Sequence, residues 1–463
     1  MTNSECQGVG IVSSFFRHYG LVIRHCTEES PVARQTRTPI IIEDTHWPVQ
    51  IRLLAARLCV TKMAMKQIGR ALLWLTLSAP IFVSAQIDPI KRDLIQFGYN
   101  QAFEGHAPFV GYAFYYHNQP DFLRTNLTLR LALAPVYLDS EFGFVGGLGP
   151  HTDFAIGLAG GGFADSYNEI HGGTYYPSQS FEGSGGEISA SVYHLFNPAD
   201  QIPLNLILRG TAHYSTFARA DSTSPTFQLP EDRGEFNVRT GLRWGGIEPT
   251  LFPPLAMELT VWYEGQFRTA SGTYGFNDDR KVESHSHLFW AEAVRNCPSY
   301  QTFDVRLMAG TSVDADRFSA YRLGGSLPLV SEFPLSLPGY YFQEISARQF
   351  VLLNANYLRP LDKSQRWNLN VNASSTIVDY LPGEEQPGNW LSGVGGGILY
   401  RAPSDRFKIM LDYAYGVDAI RSHGRGAQSI GLLMQWDLRP TPGEGFHPAH
   451  PDRWRGWQWF LGD

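Results

Sequence analysis

Cysteine is scarce. The chain has 4 in 463 residues, and Cys6, Cys26 and Cys59 all precede residue 65. Beyond that point Cys297 stands alone, which excludes an intramolecular disulfide framework or a cysteine metal site there. Basic residues are outnumbered, 37 Lys+Arg against 44 Asp+Glu for a formal charge of −7, and this acidic balance argues against nucleic acid as a partner. After Gln86 no run reaches about eighteen apolar residues, so no transmembrane helix is expected there. No solenoid-length repeat is visible. Catalytic signatures are missing too: there is no nucleophile elbow and no paired-carboxylate motif. Gly146-Gly147 and Gly160-Gly161-Gly162 precede no helical pattern, so they read as places where strands bend rather than phosphate loops. His285 and His287 share a strand face, but no third ligand is near in sequence. The sequence therefore predicts no catalytic residue, metal or cofactor.

One short apolar run is present, Ala71 to Val83. It follows the basic segment Met65 to Arg70 and ends at Ser84-Ala85 before Gln86. This is the layout of a secretory signal peptide over residues 65–85, and the run is short for a membrane anchor. Residues 1–64 have no sustained periodicity. They read as a disordered, mis-assigned upstream start, with Met65 or Met63 as the true start; a real cytoplasmic extension is the alternative. Residues 439–463 are rich in Pro and do not alternate, so they read as a disordered tail.

Between these segments, over 86–438, the sequence alternates with period two. Leu127, Leu129, Leu131 and Leu133 share a face opposite Asn126, Thr128 and Arg130. Met257, Leu259, Val261 and Tyr263 oppose Glu258, Thr260, Trp262 and Glu264. Val238, Thr240, Leu242 and Trp244 oppose Arg239 and Arg243, and Ile430, Leu432, Met434 and Trp436 oppose Ser429, Gly431 and Gln435. Such segments, about ten to fourteen residues long, suit strands that cross a bilayer with lipid on the apolar side and a polar lumen on the other. Lipid tolerates no open sheet edge, so the sheet must close. Fifteen strands are evident from 107–118 to 427–438, and an even count requires one more, placed at Leu94 to Glu104. Aromatic pairs such as Trp262-Tyr263 and Phe289-Trp290, with Tyr112 to Tyr116, Tyr175-Tyr176, Tyr413 and Tyr415, are expected at the membrane interfaces. The expected fold is all-β: a single antiparallel transmembrane barrel of sixteen strands, monomeric, in the bacterial outer membrane among its lipids, including lipopolysaccharide.

Residues 313–345 interrupt this pattern. A connection of roughly thirty residues is unusually long, and Leu327, Leu329, Val330, Phe333, Leu335, Leu337, Tyr340 and Tyr341 make it too apolar for a solvated linker. It is expected to fold into the lumen. Gly324-Gly325, then Leu337-Pro338-Gly339-Tyr340, then a strand ending Asn356-Tyr357-Leu358-Arg359-Pro360-Leu361 resembles the BamA/TamA superfamily of outer-membrane insertases and translocases, also called the bacterial surface antigen family. Gly393 to Gly397, Lys408 to Tyr413 and Gln428 to Leu432 are similar as well. The resemblance covers about residues 310–438.

The resemblance implies a sixteen-stranded barrel that assists protein insertion or translocation, with unfolded barrel clients. It places the loop base at Gly324 and Gly325 and the tip at Leu337, Pro338, Gly339 and Tyr340. It places the docking wall at Asn370 and Asn372, and a laterally opening, weakly paired seam in the strand of Ile430, Gly431 and Leu432. Two departures stand out. Pro338 occupies the tip position where the family carries Arg, and the strand Leu369 to Ser375 lacks the family's Asp, so both halves of the family's ion pair are missing together. The family's usual periplasmic POTRA domains have no counterpart, which places the chain with the barrel-only branch. A passive channel or a surface barrel on the same scaffold is the alternative; lumen charges such as Arg239, Arg243, Glu258, Glu264, Asp304 and Arg306 would then set ion preference.

Overall fold

A computed structural model describes residues 91–439, apart from 109, 199, 201, 248–251, 253–255, 298–300, 326 and 328–331. The expected leader, upstream segment and tail lie outside the described residues. Sixteen strands form the wall: β1 Arg92–Ala102, β2 Val110–Gln119, β3 Leu127–Ala134, β4 Tyr137–Phe144, β5 Thr152–Gly161, β6 Glu182–Leu195, β7 Leu204–Ala218, β8 Arg233–Ile247, β9 Ala256–Arg268, β10 His285–Cys297, β11 Thr302–Val313, β12 Ile345–Pro360, β13 Trp367–Tyr380, β14 Trp390–Arg401, β15 Phe407–Arg421 and β16 Gly424–Asp437. Each pairs antiparallel with the next, and β1 pairs with β16, so the barrel is closed. The strand needed to make the count even is β1, within two residues of its expected start.

The alternation sorts side chains as expected. Leu259, Val261, Val351, Leu353, Val371 and Leu411 are exposed on the outside, while Glu258, Thr260, Glu264, Asn237 and Glu292 are buried inside. In a lipid-facing barrel this polarity is the reverse of a soluble sheet's. The start of β1 and the end of β16 lie at one end, the turn end; the long connections 162–181, 219–232, 269–284, 314–344 and 381–389 lie at the other, the loop end, with the two-residue turns 135–136 and 422–423.

Two expectations are corrected. First, β3 and β4 are eight residues each, shorter than read from hydrophobicity, because Phe122, Leu123, Val145 and Leu148 fall in turns. Leu123 has φ +61°, and Leu123, Val145 and Leu148 stay exposed. Second, only part of the aromatic set faces lipid. Phe289, Tyr413 and Tyr415 are exposed, but Tyr112, Phe114, Tyr116, Trp262 and Trp290 are buried on the lumen side, and Tyr175 lies in the connection between β5 and β6.

The loop-end connections have a core of their own. Tyr167, Phe181, Phe227, Tyr274, Val282 and Phe318 form one buried cluster. Buried ion pairs tie these segments to each other, to the end of β9 and to the connection 381–389: Arg280 donates to Glu169 at 3.0 Å, Arg268 to Asp316 at 2.5 Å, and Arg317 reaches Glu384 at 2.5 Å. Charges this deep are tolerated only when paired, so all five long connections are tied into one cap.

Candidate functional site: a loop latched inside the barrel

The chain from β11 to β12 runs into the lumen and back. Tyr321–Leu323 first pairs with the start of β12, Tyr321 opposite Ala347 and Leu323 opposite Ile345. Leu327 then joins a buried cluster with Leu94, Leu358, Leu399, Met410 and Leu433, which sit toward the turn end of their strands. The returning limb passes Gly324 in the parallel direction at Ser336. Gly324 N–H donates to the Leu335 carbonyl at 3.1 Å, Leu337 N–H to the Gly324 carbonyl at 2.6 Å, and Gly325 N–H to the Tyr341 carbonyl at 2.9 Å. Gly324 and Gly325 thus follow the Tyr321–Leu323 strand directly and lie between the two parts of the returning limb.

Leu337 and Tyr340 are fully buried. The tip rests on glycines of the wall: a Cβ on Gly339 would collide with the backbone of Tyr415 and Gly416, and one on Gly393 with the Pro338 carbonyl. Gly339 also has φ +83°, so both its conformation and this approach require glycine. Beside the tip, Asn354 of the wall donates Nδ2 to the Ser336 carbonyl at 2.8 Å. Asn370 and Asn372 lie further toward the turn end of β13, opposite Gly397 and Gly395. Their side-chain oxygens accept no hydrogen bond from the described residues.

Acid–arginine contacts hold the loop, with the acid on the loop and the arginine on the wall. Glu332 is the sole charged residue between Arg322 and Glu344. It is paired with Arg243, and lies 3.6 Å from Arg239; both arginines project inward from β8. Arg239 also donates Nε to Glu264 at 2.7 Å, and Arg243 lies 3.2 Å from Glu258. Next to Glu332, the Phe333 ring stands edge-on to two stacked indoles, 5.5 Å from Trp262 and 5.5 Å from Trp290. Those indoles are 6.0 Å apart and nearly parallel at 10°. The two guanidinium groups lie over them, Arg239 5.4 Å from Trp290 and Arg243 5.3 Å from Trp262, within cation–π range.

Where the loop rejoins the wall, Arg421 of β15 forks onto Glu344, Nη1 to Oε1 at 2.8 Å and Nη2 to Oε2 at 2.9 Å. Glu344 also accepts the Tyr341 N–H at 2.7 Å, and Arg421 sits 3.7 Å over the Tyr341 ring. Tyr341 OH reaches on to the Glu104 carbonyl, 2.8 Å, just past β1. A bidentate, charge-assisted pair of this kind is strong and geometrically specific. The residues that sequence reasoning missed are therefore Glu332, Glu344 and Arg421, while Arg239 and Arg243 were expected in the lumen but not as partners of the loop. The available sign was a lone acid inside an apolar segment, costly unless a cation awaits it.

The seam is paired in the closed barrel. β1 and β16 pair over nine positions, Leu94 with Asp437 to Ala102 with Ser429. Gln96 Nε2 also donates to Gln435 Oε1 at 2.9 Å across it. Ile430, Gly431 and Leu432 face Gln101, Asn100 and Tyr99 in this ladder. Between neighbouring wall strands the shortest ladder among the described residues is β2 with β3, five positions from Tyr115–Leu133 to Gln119–Leu129. The two histidines of the 285–287 pair are separately occupied: His285 Nδ1 is 3.0 Å from Ser284 Oγ and His287 Nδ1 2.9 Å from Tyr263 OH.

A closed wall, apolar outside and charged inside, with a loop packed in its lumen, defines a transmembrane β-barrel of the outer-membrane type. Three solved barrels are similar to it. CdiB from Acinetobacter baumannii shares 10% identity at a TM-score of 0.46, covering 75% of this chain and 60% of that one. CdiB from Escherichia coli shares 10% at 0.47, covering 74% and 63%. BamA from Haemophilus ducreyi lacking POTRA domains 1–3 shares 10% at 0.44, covering 74% and 70%. The chain thus spans under two thirds of either CdiB, and the likeness is one of barrel architecture. No protein-family model and no curated protein matches the sequence.

Proposed function

We propose that this barrel handles polypeptides at the outer membrane, as an insertase or translocase, with unfolded barrel chains as its clients and outer-membrane lipids, including lipopolysaccharide, as its surroundings. The observation that carries this reading is the filled lumen. A channel for solutes needs a continuous polar path, yet here Leu337, Tyr340 and Phe333 are buried within the barrel, and the loop-end connections share their own aromatic core. A plug held by acid–arginine contacts at two depths is a part that can be released and re-seated. The charged lumen wall, with Arg130, Asp139, Glu141 and Arg209 gathered on β3, β4 and β7, gives a displaced plug or an entering chain a polar surface to slide on.

The test is reconstitution of the full chain in liposomes without other proteins. The folding rate of an added unfolded barrel is followed beside ion conductance. The reading predicts faster client folding with low conductance. Steady conductance with no effect on the client would contradict it and leave a passive channel.

A further inference from the structure

We propose that Arg239, Arg243, Trp262 and Trp290 form a receptor for an aromatic residue preceded by an acid, and that Glu332-Phe333 of the chain's own loop occupies it as an internal ligand. The proposal rests on the polypeptide-handling reading and names the client chemistry that the lumen would recognise.

Three features of the clamp point beyond simple plugging. The two indoles are stacked on one another and offer their surfaces to a single ring, Phe333, at equal centroid distances of 5.5 Å. Plain core packing needs no such symmetry, whereas a slot for one aromatic side chain does. Each arginine already has a partner on the wall, Glu264 for Arg239 and Glu258 for Arg243. Withdrawal of Glu332 therefore leaves neither cation stranded, and the slot can empty and refill. Finally, the indole N–H groups of Trp262 and Trp290 are buried and donate to nothing among the described residues. Two unused donors beside an aromatic slot suit the carbonyls of a peptide laid along it. Glu332 keeps 21% of its side chain exposed while Phe333 keeps almost none. The acid is thus the accessible half of the pair and the ring the anchor.

An occupied receptor binds an external peptide weakly, because the internal ligand must leave first. This sets the test. Fluorescein-labelled Gly-Ser-Glu-Phe-Ser-Gly is titrated against the full-length barrel in detergent, with Gly-Ser-Gln-Ala-Ser-Gly as the control peptide. The proteins are wild type, the loop variant Glu332→Gln/Phe333→Ala, and the same loop variant with Arg243→Gln and Trp262→Leu added. Heat-modifiability on gels confirms that each barrel is closed; if the four-fold variant does not close, Arg243→Gln alone replaces its wall changes.

The expected result is binding to the loop variant at least tenfold tighter than to wild type, lost again when the wall residues are changed, and absent for the control peptide. Equal binding to wild type and loop variant, binding that survives the wall changes, or no binding to any form would each overturn the receptor. None of these outcomes touches client folding in liposomes, so failure here is distinguishable from failure of the functional reading.

Discussion

Glu344 and Glu332 both run from the lumen loop to arginines of the wall, but their surroundings differ. The Glu344–Arg421 pair is almost fully buried, side chains 0% and 2% exposed, and forked. Glu332 and Arg243 keep 21% and 17%, and both arginines near Glu332 are shared with glutamates of β9. Loss of one member from the first pair strands a charge without solvent. Loss of Glu332 leaves the wall neutralised. The loop is therefore anchored where it rejoins the wall and lightly held at depth, which is the arrangement a releasable plug requires.

The comparison can be broken most severely at Arg421. Arg421→Met leaves Glu344 buried and unpaired, and is expected to cost about 3–5 kcal/mol. Adding Glu344→Gln should recover most of it. Thermal unfolding in detergent reads both, and equal stability of the two variants would deny that the stranded charge is the cause. A smaller effect is expected at the tip. Gly393→Val places a side chain against the Pro338 carbonyl and should cost about 1–3 kcal/mol, with protease cleavage appearing between residues 326 and 340. An uncut loop would mean the tip does not rest on β14.

The smallest effect concerns pH at the cap. Burial, reinforced by neighbouring Glu169, pushes Glu384 up to about 7 from 4.5, despite Arg317 beside it. Folding then favours the protonated carboxyl. Its contribution is full below about 4.5 and is lost as pH rises through about 7. Loop-end proteolysis should accordingly slow between pH 8 and pH 5.5, and Glu384→Gln should flatten that dependence. Faster cleavage at the lower pH would contradict the sign.

Much of the wall was legible because a period of two assigns each residue a face regardless of what it meets. Met257 to Glu264 reads correctly from the sequence alone. Strand ends were not legible at β3 and β4. A lipid-facing barrel can leave apolar side chains such as Leu123 and Leu148 exposed beyond the ladder, so hydrophobicity does not mark where pairing stops. Trp262 and Trp290 were placed at an interface by residue type, although the same alternation that faces Val261 outward turns Trp262 inward. Pattern reading could locate the plugging loop and its glycines, but not the partners across the lumen. Arg421 and Glu344 are 77 residues apart, Arg243 and Glu332 are 89, and no local periodicity connects them.

The central claim is that the loop occupies the lumen against β14 and β15. Cysteine pairs scanned between residues 336–340 and residues 392–394 or 415–417, oxidised in intact outer membranes, test it most directly. A control pair replaces Val394 and Tyr415, which face each other across β14 and β15. The account predicts cross-links from the tip to both strands at a yield near that of the control. Cross-linking of the control with none from any tip position would contradict it.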